Sequence, residues 1–217
     1  NDAGSQIDKL VQSSLLRYDE CLGIKIDKIP EGLYPGDYLK DVGTALFNKY
    51  GNSLKSYNDI KVYELVKDLS LKMIMDIIKR DLLKLGINID VYTSEQKILS
   101  GDLLDDVITI LESKNLIYKG TLKPPKGINA DGWETRKQLL FKSSNFGDDS
   151  DRALKKSDGS WTYFATDMAY HLDKIKRTNG NLINVLGADH TGYITRINTA
   201  VQALSNGSSK IDTKVCS

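Results

Sequence analysis

The carboxyl-terminal part of the chain constrains the fold most, because helical and strand patterns alternate there. A helical pattern at about 164–176 is followed by an apolar strand, 182–186, and at once by Gly187. A second helical pattern begins near Gly192, and a last strand is predicted from Ile211. This alternation of helix, buried strand, glycine turn, helix and strand is typical of a parallel sheet covered by helices. We therefore expect an α/β fold.

The amino-terminal segment, residues 1–86, carries three amphipathic helical patterns that each end at a glycine. These glycines are Gly23, Gly51 and Gly86, where a left-handed residue can close a helix. The third pattern, 62–85, has the widest apolar stripe, which predicts that this helix is well buried.

The middle of the chain, residues 87–160, mixes short strand patterns with a helical one at 103–113 and is expected to be an α+β insertion. A hairpin turn is predicted at Ser157-Asp158-Gly159, since glycine accepts positive φ. Residues 161–217 then form the second α/β segment. Short strands are predicted at 87–91, 139–141, 153–154 and 161–163, and residues 116–118 form a short apolar run.

Composition excludes several classes of protein. With 30 basic and 29 acidic residues, the net charge of +1 gives no overall field for nucleic acid or a membrane surface. The two cysteines, Cys21 and Cys216, are far apart, and with only two histidines the chain cannot supply the ligands of a structural zinc site. Two isolated cysteines are typical of reduced thiols in a cytoplasmic protein. No apolar stretch reaches the roughly 18–20 residues of a membrane span.

One candidate binding pair lies on the helix at 164–176. Tyr163 and Asp167 are four residues apart and so share a helix face. A carboxylate accepts two parallel N–H bonds from a guanidinium, and an aromatic ring can stack on that group. The spacing alone favours a structural interpretation, in which Tyr163 packs at the helix start and Asp167 is solvated, because i,i+4 pairs of this kind are common.

A second candidate site follows the apolar strand, at Gly187, Asp189 and His190. Ligands of open α/β sheets bind beyond the carboxyl ends of strands, where an Asp can bind a ribose hydroxyl and a His can donate to phosphate. In the alternative interpretation, Gly187 only makes the turn and Asp189 caps the next helix. Neither a dinucleotide-binding nor a P-loop motif is present.

Three further features favour structural roles. Lys155-Lys156 is interpreted as a solvated edge, Lys123-Pro-Pro-Lys-Gly as a connecting loop, and His171 as a histidine on the helix surface that takes no part in binding.

Four segments of the chain resemble bacterial arginyl-tRNA synthetases in the order that this family has them. The resemblance implies a class I synthetase with a Rossmann-type catalytic domain, of which this chain is an incomplete part. The four segments are NDAGSQID at 1–8, GLYPGDYL at 32–39, KKSDGSWTYFATDMAYHLDK at 155–174 and VLGADHTGYITR at 185–196.

The resemblance also implies an activity and its site residues. The family activates arginine with ATP, which carries Mg²⁺, and transfers it to tRNA(Arg). Its arginine-binding Tyr and Asp fall on Tyr163 and Asp167, and its ATP-side turn falls on Gly187, Asp189 and His190. No resident metal site is implied. A monomeric cytoplasmic protein without a membrane anchor is expected.

Two ATP-binding signatures of class I synthetases, the HIGH-type and KMSK-type motifs, do not occur in these 217 residues. We therefore expect an internal fragment of the catalytic domain that holds no catalytic residue of its own and is inactive alone. The alternative is a non-catalytic α/β module that uses the same scaffold to bind an amino acid or RNA.

Overall fold

The structure is a computed structural model of the 217-residue chain, which divides into two compact units, Asn1–Gln96 and Lys97–Ser217. The predicted subdivision at residues 86 and 160 is a different one and stays a prediction. The Lys123-Pro-Pro-Lys-Gly loop lies outside the described residues. Those residues are 2, 4–54, 59–122, 136–178 and 180–217.

The first unit is helical, as predicted. It contains α1 (Ser5–Cys21), α2 (Tyr38–Tyr50) and α3 (Ile60–Lys84), and a short helix α4 (Glu95–Ser100) begins at its end. The three glycines predicted to close the helices all have positive φ, between 53° and 84°. The side chains of the core come from all three long helices and from Leu54, and the largest of them are Tyr18, Leu39, Leu46, Leu54, Val42 and Val66.

Helices α1 and α2 cross closely at Gly43. A Cβ placed on Gly43 would lie 2.4 Å from the carbonyl carbon of Arg17 and 2.6 Å from its oxygen. The backbone of α1 therefore occupies the space that any larger residue at position 43 would need.

The predicted burial of α3 is wrong for its second half. Its buried residues all lie between Val62 and Ser70, where the helix packs against α1 and α2. Farther along, Ile78 is 41% and Leu83 is 60% exposed. A wide apolar stripe predicts burial only where neighbouring elements are long enough to cover it.

Two predicted strands are also wrong. Residues 87–91 form no strand, and Ile87, Ile89 and Val91 are all exposed, because alternation creates a strand only where a partner pairs with it. At 161–163, Trp161 makes a single bridge to Lys155. Helix formation begins directly afterwards, because the Ala165 N–H donates to Thr162 Oγ1 at 3.2 Å as in an N-cap.

The second unit contains two small sheets and three long helices. The elements are α5 (Leu103–Ser113), β1 (Ile117–Gly120), β2 (Gln138–Phe141), β3 (Arg152–Lys155), α6 (Tyr163–Thr178), β4 (Leu182–Gly187), α7 (Ile194–Ser205) and β5 (Ile211–Cys216). Strands β1, β2 and β3 pair antiparallel in that order, and β4 pairs with β5 in parallel. The predicted hairpin turn is confirmed, since Gly159 has a φ of 83° between β3 and the bridge at Trp161.

These elements confirm the predicted α/β class and the order of elements from α6 to β5. The parallel sheet of the described residues has two strands, so the larger Rossmann-type sheet stays a prediction. A 3₁₀ helix, Ala188–Tyr193, connects β4 to α7 and brings its residues to the carboxyl end of β4.

Strand β4 turns one face toward the helices and the other toward water. Leu182 and Asn184 are buried on the inner face. Ile183 and Val185 on the outer face are 69% and 66% exposed. The inner face thus carries a polar side chain within an apolar strand.

In the ranges that the structure describes, no helix is both long enough and apolar enough to cross a membrane. No three His, Cys, Asp or Glu side chains of those ranges are grouped as metal ligands. Cys21 and Cys216 are exposed free thiols.

Candidate functional site

An open cleft of about 490 Å³ lies beside α6 and β4, near the carboxyl end of the strand. Helix α6 supplies most of its polar wall, β4 supplies one amide, and the 3₁₀ helix supplies two side chains. This is where parallel α/β sheets bind ligands. The polar lining consists of Asp167, Tyr170, His171, Lys174, Asn184, His190 and Tyr193.

The Asp167 carboxylate is half-buried in this cleft. Burial raises its pKa above the ordinary value, while the Tyr193 hydroxyl and the charges of Lys174 and His190 act in the opposite direction. A carboxylate that has lost part of its hydration gains from a cation that enters the cleft and binds it. Asp167 is therefore suited to a positively charged ligand.

A hydrogen-bond network lies beneath Asp167. His171 is 4% exposed, and its Nδ1 donates to the Asp167 backbone oxygen at 2.7 Å. Its Nε2 accepts from Asn184 Nδ2 at 3.0 Å, and Asn184 Oδ1 accepts from Lys174 Nζ at 3.0 Å. The prediction that His171 lies on the helix surface is wrong.

His171 is neutral at physiological pH. Burial and the charge of Lys174 lower the pKa of its imidazole from 6.5 to about 4. The hydrogen bond that Nδ1 donates leaves Nε2 as an acceptor, which suits the Asn184 amide. The network therefore has one consistent arrangement of its protons.

Lys174 is the only lysine that lines the cleft in the described part of the chain. Its ammonium lies 4.2 Å from the centre of the Tyr170 ring, a cation–π contact. Burial and the charge of Arg177 lower its pKa. The contacts to Tyr170 and Asn184 hold this charge against the wall of the cleft.

Tyr193, the last residue of the 3₁₀ helix, also lines the cleft and packs against α6. Its ring meets Phe164 edge-on at 6.4 Å and carries the Arg196 guanidinium 5.5 Å from its centre. Its hydroxyl is buried and, among the described residues, has no partner in hydrogen-bond geometry. The hydroxyl faces Asp167, and burial together with that charge raises the pKa of Tyr193.

The predicted site residues are not all in the cleft. Asp167 and His190 line it together, whereas Tyr163, Gly187 and Asp189 lie outside its lining within the described residues. Tyr163 is the first residue of α6, one turn before Asp167 as predicted, and is 80% exposed. Their roles in binding arginine or ATP stay predictions.

The turn after β4 is tight at Gly187. A Cβ there would lie 2.5 Å from Asp189 Oδ1, so the small residue lets the Asp189 carboxylate fold back over the strand end. Asp189 Oδ2 also lies 3.5 Å from His190 Nε2. The three residues thus form one connected turn whose side chains face water or the cleft mouth.

Sequence reasoning missed Asn184, Lys174 and Tyr193. An amide in the middle of an apolar strand is a usable signal, because a buried polar group needs a partner. Lys174 is seven residues after Asp167, which places the two on one helix face. Nothing in the sequence distinguishes Tyr193 from other tyrosines that follow a turn.

Comparison with known proteins gives matches along nearly the whole chain. The chain is 51% identical over 215 residues to the arginine–tRNA ligase of Wolbachia pipientis wMel, which covers 99% of this chain. It is 49% identical over 216 residues to that of Parvibaculum lavamentivorans. The chain spans 37% of the length of these curated relatives. No model of a protein family matches it.

Solved structures agree with the sequence matches. A crystal structure described as an arginyl-tRNA synthetase of Campylobacter jejuni superposes with a TM-score of 0.77 at 32% identity, covering 100% of this chain and 44% of that one. Arginyl-tRNA synthetase of Plasmodium falciparum superposes with a TM-score of 0.56 at 16% identity, over 98% of this chain and 34% of that one, and this likeness shows the fold alone.

Proposed function

We propose that this chain, which is homologous over its whole length to a segment of arginine–tRNA ligases, is part of an enzyme that charges tRNA(Arg) with arginine. The enzyme would bind arginine, ATP with its Mg²⁺, and tRNA(Arg), and would act in the cytoplasm as a monomer. Its segment here would belong to a Rossmann-type catalytic domain. The observation that carries the proposal is the desolvated Asp167 carboxylate in the cleft of a chain with these relatives.

The arginine side of the site would be formed by Tyr163 and Asp167. The Asp167 carboxylate offers a planar pair of acceptors that a guanidinium can meet with two N–H groups, which the ammonium of lysine cannot do. Tyr163 is exposed at the start of α6, so its ring is free to stack on a bound side chain.

The ATP side would be formed by the turn of Gly187, Asp189 and His190. In the reaction, the arginine carboxylate attacks the α-phosphorus of ATP and pyrophosphate leaves. The protein contributes positioning and stabilisation of phosphate charge. Since the HIGH-type and KMSK-type motifs are absent from these 217 residues, the polypeptide alone would not activate arginine.

The test is Asp167→Asn in the full-length ligase that contains this chain. Loss of the charge should raise KM for arginine by about tenfold or more and leave KM for ATP nearly unchanged, because a charge-assisted pair is worth about 1.5–3 kcal/mol. Asp173→Asn is the matched control: Asp173 lies on the same helix and pairs with Arg177 at 2.9 Å, away from the cleft lining.

An unchanged KM for arginine in Asp167→Asn would reject the assignment of Asp167. Calorimetric binding of arginine without ATP–pyrophosphate exchange in the presence of tRNA would instead favour the non-catalytic module.

A further inference from the structure

The Tyr193 hydroxyl is the unexplained polar group of the cleft. It is buried and meets none of the described residues in good hydrogen-bond geometry, although it lies close enough to the Asp167 carboxylate to influence the pKa of that group. A buried hydroxyl without a partner costs free energy, so its persistence in a functional cleft calls for a ligand or a bound water.

The position of this hydroxyl points to a ligand that Asp167 also binds. Tyr193 and Asp167 come from different elements, the 3₁₀ helix and α6, and line the cleft side by side. The edge-on contact with Phe164 and the Arg196 guanidinium on its ring hold the phenol in place. Rotation of Tyr193 away from the cleft would lose both contacts.

We propose that Tyr193 is a specificity-determining residue that completes the guanidinium site: its O–H donates to the Asp167 carboxylate, and its oxygen accepts one N–H of the bound arginine. This inference rests on the proposed function and adds a third acceptor to the two of Asp167. No motif of the sequence assigns this role to Tyr193.

The chemistry favours arginine over lysine. A guanidinium has five N–H donors in a rigid fork, so it can serve two carboxylate oxygens and a phenol oxygen at once. An ammonium is a compact point charge that satisfies one side of such a cleft. Lys174 lines the cleft as well, and its positive charge disfavours binding of a cation. A cation therefore binds well only if it contacts the Asp167 carboxylate directly.

The experiment is Tyr193→Phe in the full-length ligase, with arginine binding measured by calorimetry and lysine measured as a competitor. The phenyl ring keeps the contact with Phe164, so the fold should be retained. The dissociation constant for arginine should rise about tenfold, the loss of one hydrogen bond to a charged group. The constants for lysine and ATP should not change.

Tyr118→Phe is the matched control. Tyr118 also faces an aspartate, since its hydroxyl donates to Asp151 Oδ2 at 2.7 Å, but it lies outside the cleft lining within the described residues. This variant should leave arginine binding unchanged. A double-mutant cycle of Tyr193→Phe with Asp167→Asn should be non-additive, because both side chains would act on one guanidinium.

The outcomes separate the two proposals. If Tyr193→Phe binds arginine normally while Asp167→Asn does not, Tyr193 holds only a water and the inference fails alone. If neither variant affects arginine binding, the proposed function fails as well. If Tyr193→Phe weakens arginine, lysine and ATP equally, its role is structural and the inference is overturned.

Discussion

Asn184 Nδ2 donates a hydrogen bond to His171 Nε2 over 3.0 Å, and so joins strand β4 to helix α6 beneath the cleft. This bond requires an unprotonated Nε2. The pKa of His171 is about 4 in the folded protein and 6.5 as its ordinary value, with burial as the main cause. Protonation would leave two N–H groups facing each other.

We expect this histidine to make the protein less stable in mild acid. Between pH 6.5 and 4 the unfolded state binds the proton and the folded state does not, so the free energy of unfolding falls as the pH is lowered. The contribution is fully present above pH 6.5 and amounts to about 3 kcal/mol.

His171→Gln should remove this pH dependence, because glutamine keeps a donor and an acceptor and does not titrate. Urea unfolding followed by tryptophan fluorescence reports the relevant unit, since both tryptophans fall within 97–217. Equal slopes for the variant and the unmodified protein between pH 4 and 6.5 would contradict the assignment.

A buried ion pair should govern stability at lower pH. Arg152 Nε and Nη2 donate to the two oxygens of Asp148 at 2.8 and 2.6 Å, and the Asp148 side chain is 3% exposed. Burial opposes ionisation of Asp148, but the hydrogen bonds and charge of Arg152 hold its pKa below 3.8. Its contribution is therefore present above pH 3.8 and lost as the pH falls through the folded pKa.

Asp148→Asn should lower the free energy of unfolding by about 2–3 kcal/mol at pH 7. The difference should shrink below pH 3.8, where the unmodified protein loses the same charge. Asp149→Asn is the control, because Asp149 also contacts Arg152 but is 79% exposed. Urea unfolding at pH 7 and pH 3 measures both, and a large effect of Asp149→Asn would argue against the role of burial.

Gly43→Ala should destabilise the first unit, although alanine is the better helix former. In an exposed helix this change stabilises by about 1 kcal/mol. Here the added methyl group would meet the Arg17 backbone at 2.4 Å, and overpacking of this kind costs about 1–3 kcal/mol.

Amide hydrogen exchange of α1 and α2 tests whether Gly43→Ala destabilises the first unit, in which case exchange should be faster in the variant. Thr44→Ala, at an exposed neighbouring position of α2, should leave exchange nearly unchanged. Slower exchange in Gly43→Ala would contradict the prediction, because it would mean that the crossing of α1 and α2 accommodates the added methyl group without cost.

Tyr163→Ala should affect ligand binding without affecting stability. Tyr163 is 80% exposed, so the free energy of unfolding should change by less than about 0.5 kcal/mol. Loss of the ring in the full-length ligase should raise KM for arginine by about fivefold to tenfold if it stacks on the guanidinium. Tyr163→Phe should then retain a normal KM, and a normal KM in Tyr163→Ala would exclude Tyr163 from the site.

The sequence predicted the part of the fold in which periodicity and partners agree. From α6 to β5, apolar spacing and glycine turns specify each element, and the strand pattern of β4 has β5 beside it. The pattern at 87–91 is equally regular but has no partner strand, so no strand forms. Periodicity describes one element, whereas pairing depends on another.

The candidate site was predicted less completely, because its parts come from three elements. Asp167 was found from its helix spacing and His190 from its place after a strand. The burial of His171 depends on Asn184 of β4, and the position of Tyr193 depends on how the 3₁₀ helix folds back over α6. Such relationships are tertiary and leave no trace in local spacing.

The exposed outer face of β4 limits the solubility of this polypeptide. Ile183 and Val185 present an apolar strip to water, although parallel strands are normally covered on both faces. With a net charge of +1, the molecules repel one another little at neutral pH. Colloidal solubility, more than the free energy of folding, should therefore fix the concentration at which the 217-residue polypeptide remains dispersed.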